Sequence, residues 1–159
     1  MTIRPETSLD CDAIRSVICE AFHQSDEADL VEALRSARVL EISLVAKEDN
    51  SIVGHIALSK LKSPANSLAL APVCVVENQQ GRGIGSSLIQ TAVAEARSRG
   101  FSMIFVLGDP DYYSRFGFST ELAEGFPCEY SGSFFMALPI GKEHLEPTSV
   151  IYPKAFGGM

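Results

Sequence analysis

Leu70-Ala71-Pro72-Val73-Cys74-Val75-Val76-Glu77-Asn78-Gln79-Gln80-Gly81-Arg82-Gly83-Ile84-Gly85 is the stretch that decides how this chain folds. The apolar run up to Val76 reads as a buried strand. Beyond the glycines, Ile84, Leu88, Ala92 and Ala96 recur every four residues with Ile89 and Val93 alongside. That spacing predicts a helix with one buried face, over about 83–99, with Arg97 and Arg99 in its last turn and Gly100 just past its end. A strand that turns through Gly81, Gly83 and Gly85 into a helix start presents unpaired backbone N–H groups, with the positive end of the helix dipole behind them. Such a turn binds phosphate.

Working outward, Met103-Ile104-Phe105-Val106-Leu107 is an unbroken apolar run directly after the helix. A strand, a crossover helix and a second strand imply a parallel pair with both faces covered. Upstream, 41–47 and 52–61 read as an antiparallel hairpin around Glu48-Asp49-Asn50-Ser51. The strand over about 68–76 follows. Pro72 lies inside it with no N–H to give a ladder, which predicts a bulge or local splay. Thr2 to Arg4 is a short first strand. A helix over about 9–22 starts at Thr7 or Ser8, with Asp10 and Asp12 in its first turn, and a second helix starts at Ser25-Asp26-Glu27 and ends near Arg38. After Gly108-Asp109-Pro110, residues 111–116 form a short helix stopped by Gly117. Phe118 to Leu122 and Ser133 to Leu138 read as a closing pair of strands, and the tail from Glu146 shows no clear element. The fold class is α/β (α+β): a mixed, mostly antiparallel sheet of about six to seven strands with helices on both faces. One domain over 1–159 is expected, with its core in about 2–140 and 141–159 as an extension.

Composition narrows the partners. The chain has 159 residues, 46% hydrophobic and 21% charged, enough for one core. No apolar run reaches ~18 residues, so no membrane span is expected. The N-terminus lacks the apolar segment of a signal peptide, and a cytoplasmic protein is expected. A net charge of −7 argues against nucleic acid, which needs a basic surface, and is compatible with a cationic small molecule or a basic peptide. Cys11, Cys19, Cys74 and Cys128 have no metal-ligand spacing and read as reduced core thiols.

Three phosphate loops share this look. A P-loop needs Gly-x-x-x-x-Gly-Lys-Ser/Thr, and no lysine lies between Lys62 and Lys142. A dinucleotide fingerprint needs Gly-x-Gly-x-x-Gly on the first βα turn, whereas this loop is Gly-x-Gly-x-Gly after three strands. Gln80-Gly81-Arg82-Gly83-Ile84-Gly85 resembles instead the Gln/Arg-x-x-Gly-x-Gly/Ala signature of the GNAT N-acetyltransferase superfamily. One strand later, Tyr113-Ser114-Arg115-Phe116-Gly117-Phe118 is similar to that superfamily's Tyr-x-x-x-Gly-Phe segment. The element order agrees over roughly 2–140. The connection through Gly108-Asp109-Pro110-Asp111 is shorter than usual and leaves Tyr112 as a competitor to Tyr113.

The resemblance implies the acyl-CoA N-acyltransferase fold, with the parallel strand pair splayed around the donor. It implies transfer of acetyl from acetyl-CoA to a primary amine of a small molecule or peptide, by direct attack in a ternary complex, with a non-catalytic acyl-CoA-binding module as the alternative. The implied donor site is Val73, Cys74 and Val75 on the strand, Gln80, Gly81, Arg82, Gly83, Ile84, Gly85 and Ser86 in the loop, and Tyr112 and Phe116 opposite. Tyr113 is the candidate proton donor to the leaving thiolate. Glu77 is the candidate acceptor of the amine proton, with a solvated loop carboxylate as its plainer reading. His55 reads as a packed strand residue rather than a base. Glu20, Phe22 and His23 are candidate acceptor-pocket residues, Cys74 a remote candidate for a covalent route, and a homodimer a family-based expectation.

Overall fold

The hairpin organises one half of the sheet. In the computed structural model, which describes residues 1–158, β2 (Leu40–Glu48) and β3 (Ser51–Lys60) pair antiparallel. Asp49 turns between them with φ +54, a left-handed conformation that Asp tolerates because its short side chain bonds locally. β1 (Thr2–Pro5) adds antiparallel to β2, and β4 (Ser67–Val75) adds antiparallel to β3. β5 (Met103–Leu107) then runs parallel to β4, and β6 (Phe135–Pro139) closes antiparallel to β5. The six strands therefore lie in chain order across the sheet.

Helices cover both faces. α1 (Cys11–Phe22) and α2 (Asp26–Ser36) precede the hairpin, and α3 (Ile84–Ser98) is the crossover between β4 and β5. A side chain on Gly54 would meet Leu88 and Ile84 of α3 at 3.1 and 3.4 Å. The next residue, His55, points to the opposite face, toward the network that Arg35 of α2 joins, as a pleat requires. Ile14, Val17 and Ile18 of α1, and Leu88, Ile89 and Ala92 of α3, are buried in one continuous core. Each such Leu or Ile stabilises the fold by ~1.5–3 kcal/mol on burial. Gly100 follows α3 with φ +83, as a helix stop requires. No helix among the described residues is long and apolar enough to cross a membrane.

The site is positioned by an asymmetry around β4. Its ladder with β5 runs only from Ser67↔Met103 to Leu70↔Val106, while pairing with β3 continues to Gly54↔Val75. The register with β3 jumps from Leu58↔Leu70 to Ile56↔Val73, so Ala71 and Pro72 together stand opposite Ala57. This is the expected bulge at Pro72. Past it, β4 follows β3 and parts from β5.

One expectation fails at the C-terminal end. Phe118 to Leu122 is not a strand: only Ser119 bridges to Ala137, and its Oγ accepts the Leu122 N–H at 3.3 Å, starting the single turn α5 (Thr120–Ala123). The Ser cap closes a helical turn, and Phe118 and Leu122 stand four residues apart, a helical rather than a strand spacing, so the closing pair reduces to β6 alone. The tail is also docked. Ile151 bridges Ser63, and Val150 and Phe156 are buried with Leu30, Leu34 and Phe105 in a second core, where the Phe105 and Phe135 rings stack 5.5 Å apart.

Candidate functional site

The parting of β4 and β5 opens a cavity of about 590 Å³. Its first wall is the stretch from Val73 to Ser86. Val73, Cys74 and Val75 lie along β4, and a 3-10 turn at Glu77–Gln79 redirects the chain into the glycine loop. Gln80 folds back on the strand, its Nε2 donating to the Val75 carbonyl at 3.0 Å. Gly81 and Gly83 both take φ +80, and a Cβ at either would meet nothing within 4 Å. Their need for glycine is conformational. Gly85 differs: its Cβ would lie 3.2 Å from the Tyr112 hydroxyl, so that position needs the space. No side chain caps α3. Ser87 is the first residue to find an intrahelical acceptor, the Gly83 carbonyl at 3.0 Å, which leaves the amides of Ile84, Gly85 and Ser86 as unpaired donors on the cavity wall.

The second wall is α4 (Pro110–Tyr113) with the 3-10 turn Ser114–Phe116. Asp109 caps it, accepting the Asp111 N–H at 3.0 Å, and Pro110 fills the first position, where no N–H is needed. Tyr112, Tyr113 and Arg115 face the cavity. The Tyr113 ring packs edge-on to Phe118, with centroids 5.8 Å apart. A Cβ on Gly108 would sit 2.5 Å from that ring, so Gly108 is required to seat it. Burial pushes the Tyr113 phenol up to about 12, with Tyr112 contributing in the same direction; the group stays protonated across the physiological range. Ala21 and Phe22, at the end of α1, complete the lining.

Several candidates stand elsewhere. Glu77 is exposed and outside the cavity walls, because the 3-10 turn carries it away before the loop begins. The Arg82 side chain leaves the loop, bonding Gln79 and reaching to 3.7 Å from Glu48, and Arg82 does not line the cavity. Phe116 supports the second wall from behind, edge-on to Tyr112 at 5.4 Å, and does not line the cavity. Glu20 lines a separate groove with Asn78. His23 closes α1 in a left-handed conformation and is exposed. Cys74 lines the cavity, but burial pushes its thiol up to about 12, which removes the thiolate that a covalent route needs. His55 is fully buried, 2.8 Å from Ser43 Oγ through Nε2, and burial lowers it to about 4. It is neutral and outside the cavity. Arg115, Gln79 and Ala21 line the cavity without having been singled out from sequence. For Arg115 the signal was available, since it lies inside the Tyr113–Phe118 motif.

The chain matches the model of the acetyltransferase (GNAT) family over residues 11–118. It is 31% identical over 137 residues to the uncharacterized N-acetyltransferase YhbS of Escherichia coli, covering 84% of this chain and 82% of that protein. The crystal structure of Escherichia coli YhbS in complex with CoA superposes with a TM-score of 0.91 at 27% identity, over 98% of this chain and 91% of that one. A GNAT family acetyltransferase from Brucella melitensis in complex with acetyl-CoA gives a TM-score of 0.83 at 35% identity, over 98% and 97%.

Proposed function

We propose a function from one premise, that this chain belongs to the acetyltransferase (GNAT) family and is an N-acetyltransferase: it moves the acetyl group of acetyl-CoA directly to a primary amine held in the same cavity. The observation that carries this reading is the opening between β4 and β5, with unpaired helix N–H groups at one wall and a half-buried phenol at the other. The relatives crystallised with CoA and acetyl-CoA support the choice of donor.

In this reading the pyrophosphate rests on the amides of Ile84, Gly85 and Ser86, and the pantetheine arm lies along β4 beyond Leu70, where β5 no longer pairs. The acceptor enters past Ala21 and Phe22. Its neutral nitrogen attacks the thioester carbonyl, forming the C–N bond and a tetrahedral oxyanion, and an N–H of β4 near Val73 to Val75 stabilises that charge, a role often worth ~3 kcal/mol. The C–S bond then breaks. The departing thiolate takes the Tyr113 proton, and the nitrogen loses its own proton to water.

Release of CoA thiol should be followed with acetyl-CoA over polyamines, amino acids, aminoglycosides and basic peptides. Release above hydrolysis with one class of amine supports the proposal and names the acceptor. Tight acetyl-CoA binding with no release for any acceptor would replace it with a binding module.

A further inference from the structure

The cation that the phosphate loop lacks stands on the opposite wall. A polyphosphate ligand approaching a chain of net charge −7 is repelled overall, so local positive charge decides whether it stays. The loop's own arginine does not supply it: Arg82 turns outward to Gln79 and Glu48. Arg4, Arg15, Arg35 and Arg99 also have acidic partners. Among the described residues, no carboxylate lies within ion-pair distance of Arg115, and Arg115 is the arginine that lines the cavity.

Arg115 is exposed and held by contacts within its own turn. The guanidinium lies 4.5 Å from the centre of the Tyr112 ring and 5.4 Å from that of Phe116. Its Nε donates to the Tyr112 carbonyl at 3.3 Å. Tyr112 itself reaches across to the glycine loop, with its hydroxyl 3.2 Å from where a Gly85 side chain would begin. One aromatic ring thus separates the guanidinium from the unpaired amides at the start of α3. A planar guanidinium suits this post: it lies over the ring and still presents N–H groups in the fork that matches phosphate oxygens. A lysine would keep the charge and lose the fork.

We propose that Arg115, lying over Tyr112, is the second jaw of the phosphate site, binding the CoA pyrophosphate from the side opposite the amides of Ile84, Gly85 and Ser86. Tyr112 is its positioning residue. The assignment rests on acetyl-CoA being the donor. Acetyl-CoA affinity by calorimetry, and kcat and KM, should be measured for the wild type, Arg115→Gln and Arg115→Lys at low and high salt, with thermal melting to check folding.

Arg115→Gln should raise Kd and KM by about tenfold or more, since hydrogen bonds to charged groups weigh this much, and should leave kcat within about threefold. Its affinity should also depend less on salt than the wild type's, which loss of packing alone would not produce. Arg115→Lys should fall between. The same loss factor is expected with 3′-dephospho-acetyl-CoA. An unchanged Kd in Arg115→Gln, or a loss falling on kcat alone, would overturn the assignment. A loss that vanishes with the 3′-dephospho donor would move Arg115 to the ribose phosphate and overturn the pyrophosphate contact. Wild-type protein that fails to bind acetyl-CoA would remove the donor reading itself.

Discussion

Two polar regions lie one strand apart and are built on opposite rules. In the cavity, the Tyr113 phenol and the first amides of α3 have no hydrogen-bond partner among the described residues, and Arg115 has no acidic one. Across the β3–β4 ladder, Cys74 faces His55, and His55 belongs to a network in which nearly every polar atom is paired. Arg35 holds Glu6 through two hydrogen bonds of 2.9 Å, Ser43 Oγ donates to the same carboxylate, and His55 Nε2 lies 2.8 Å from that hydroxyl. An ionised Glu6 only accepts, so the Ser43 proton goes to Glu6 and Ser43 accepts from His55 Nε2–H. That fixes the tautomer and leaves Nδ1 as a bare lone pair, matching its lack of a partner. Arg4, Asp10 and the Thr7 capping box continue the pairing along the same edge. Closed polar networks hold a fold in one arrangement. Open polar groups cost stability and persist where a ligand completes them.

The sharpest way to break this contrast is Tyr113→Phe. If the open phenol serves chemistry, kcat should fall by about 10²–10³-fold, acetyl-CoA affinity should stay within about twofold, and the melting temperature should not fall. Steady-state kinetics beside calorimetry decide it. Unchanged kcat would remove Tyr113 and leave Tyr112 as the proton donor.

Acid should open the closed side. His55 is lowered by burial to about 4 in the folded chain, against about 6.5 when unfolded. Between those values the unfolded chain binds a proton that the folded one refuses, so stability falls as pH falls, by roughly 3 kcal/mol in total. Glu6 extends the loss below about pH 4: burial pushes its carboxyl up, but the hydrogen bonds from Arg35 and Ser43 outweigh it and hold it low. Asp10, held well below the usual carboxylate range by Arg4 and then by the Thr7 N–H, acts in the same direction. Urea unfolding across this range should show the slope, and His55→Gln should flatten its upper part. A flat wild-type profile would mean that His55 is not held neutral.

Glu6→Gln tests the pairing directly. It strands the Arg35 charge against a seam where the two side chains keep 26% and 17% of their exposure. The loss should be about 2 kcal/mol, less than for a fully buried pair. Activity per folded molecule should stay within about twofold if the two regions are independent. A large loss of kcat would couple them.

The open side was far more legible in the sequence than the closed one. Glycines that must take φ +80, a strand ending in a loop and a four-residue apolar repeat are local signals, and they located the first wall, β4 and α3. The Tyr113–Phe118 motif located the second wall. The Glu6 network joins residues 6, 35, 43 and 55, brought together by strand register and the packing of α2. No spacing along the chain announces such a set. Glu77 and Arg82 show the same limit: being near the loop in sequence does not say which way a side chain points, and Glu77 takes the plainer reading of an exposed loop carboxylate. Phe118 to Leu122 is apolar only at its two ends, four residues apart, and the cap from Ser119 makes it a helical turn rather than a strand.

The smallest effect comes from two glycines of one loop. A Cβ at Gly83 meets nothing within 4 Å, but the backbone sits at φ +80. Gly83→Ala should therefore cost only the left-handed strain, about 1 kcal/mol of stability, and Gly83→Asn less, because Asn enters that conformation more readily. Gly85→Ala has no such backbone conflict, and instead its Cβ presses on the Tyr112 hydroxyl at 3.2 Å. Its effect should appear as weaker acetyl-CoA binding through a displaced Tyr112, with little change in melting. Denaturant unfolding and calorimetry on the two variants separate the outcomes: stability lost at position 83, affinity lost at position 85. If Gly85→Ala left affinity unchanged, Tyr112 would not be tied to the loop, and the second wall would set itself without reference to the first.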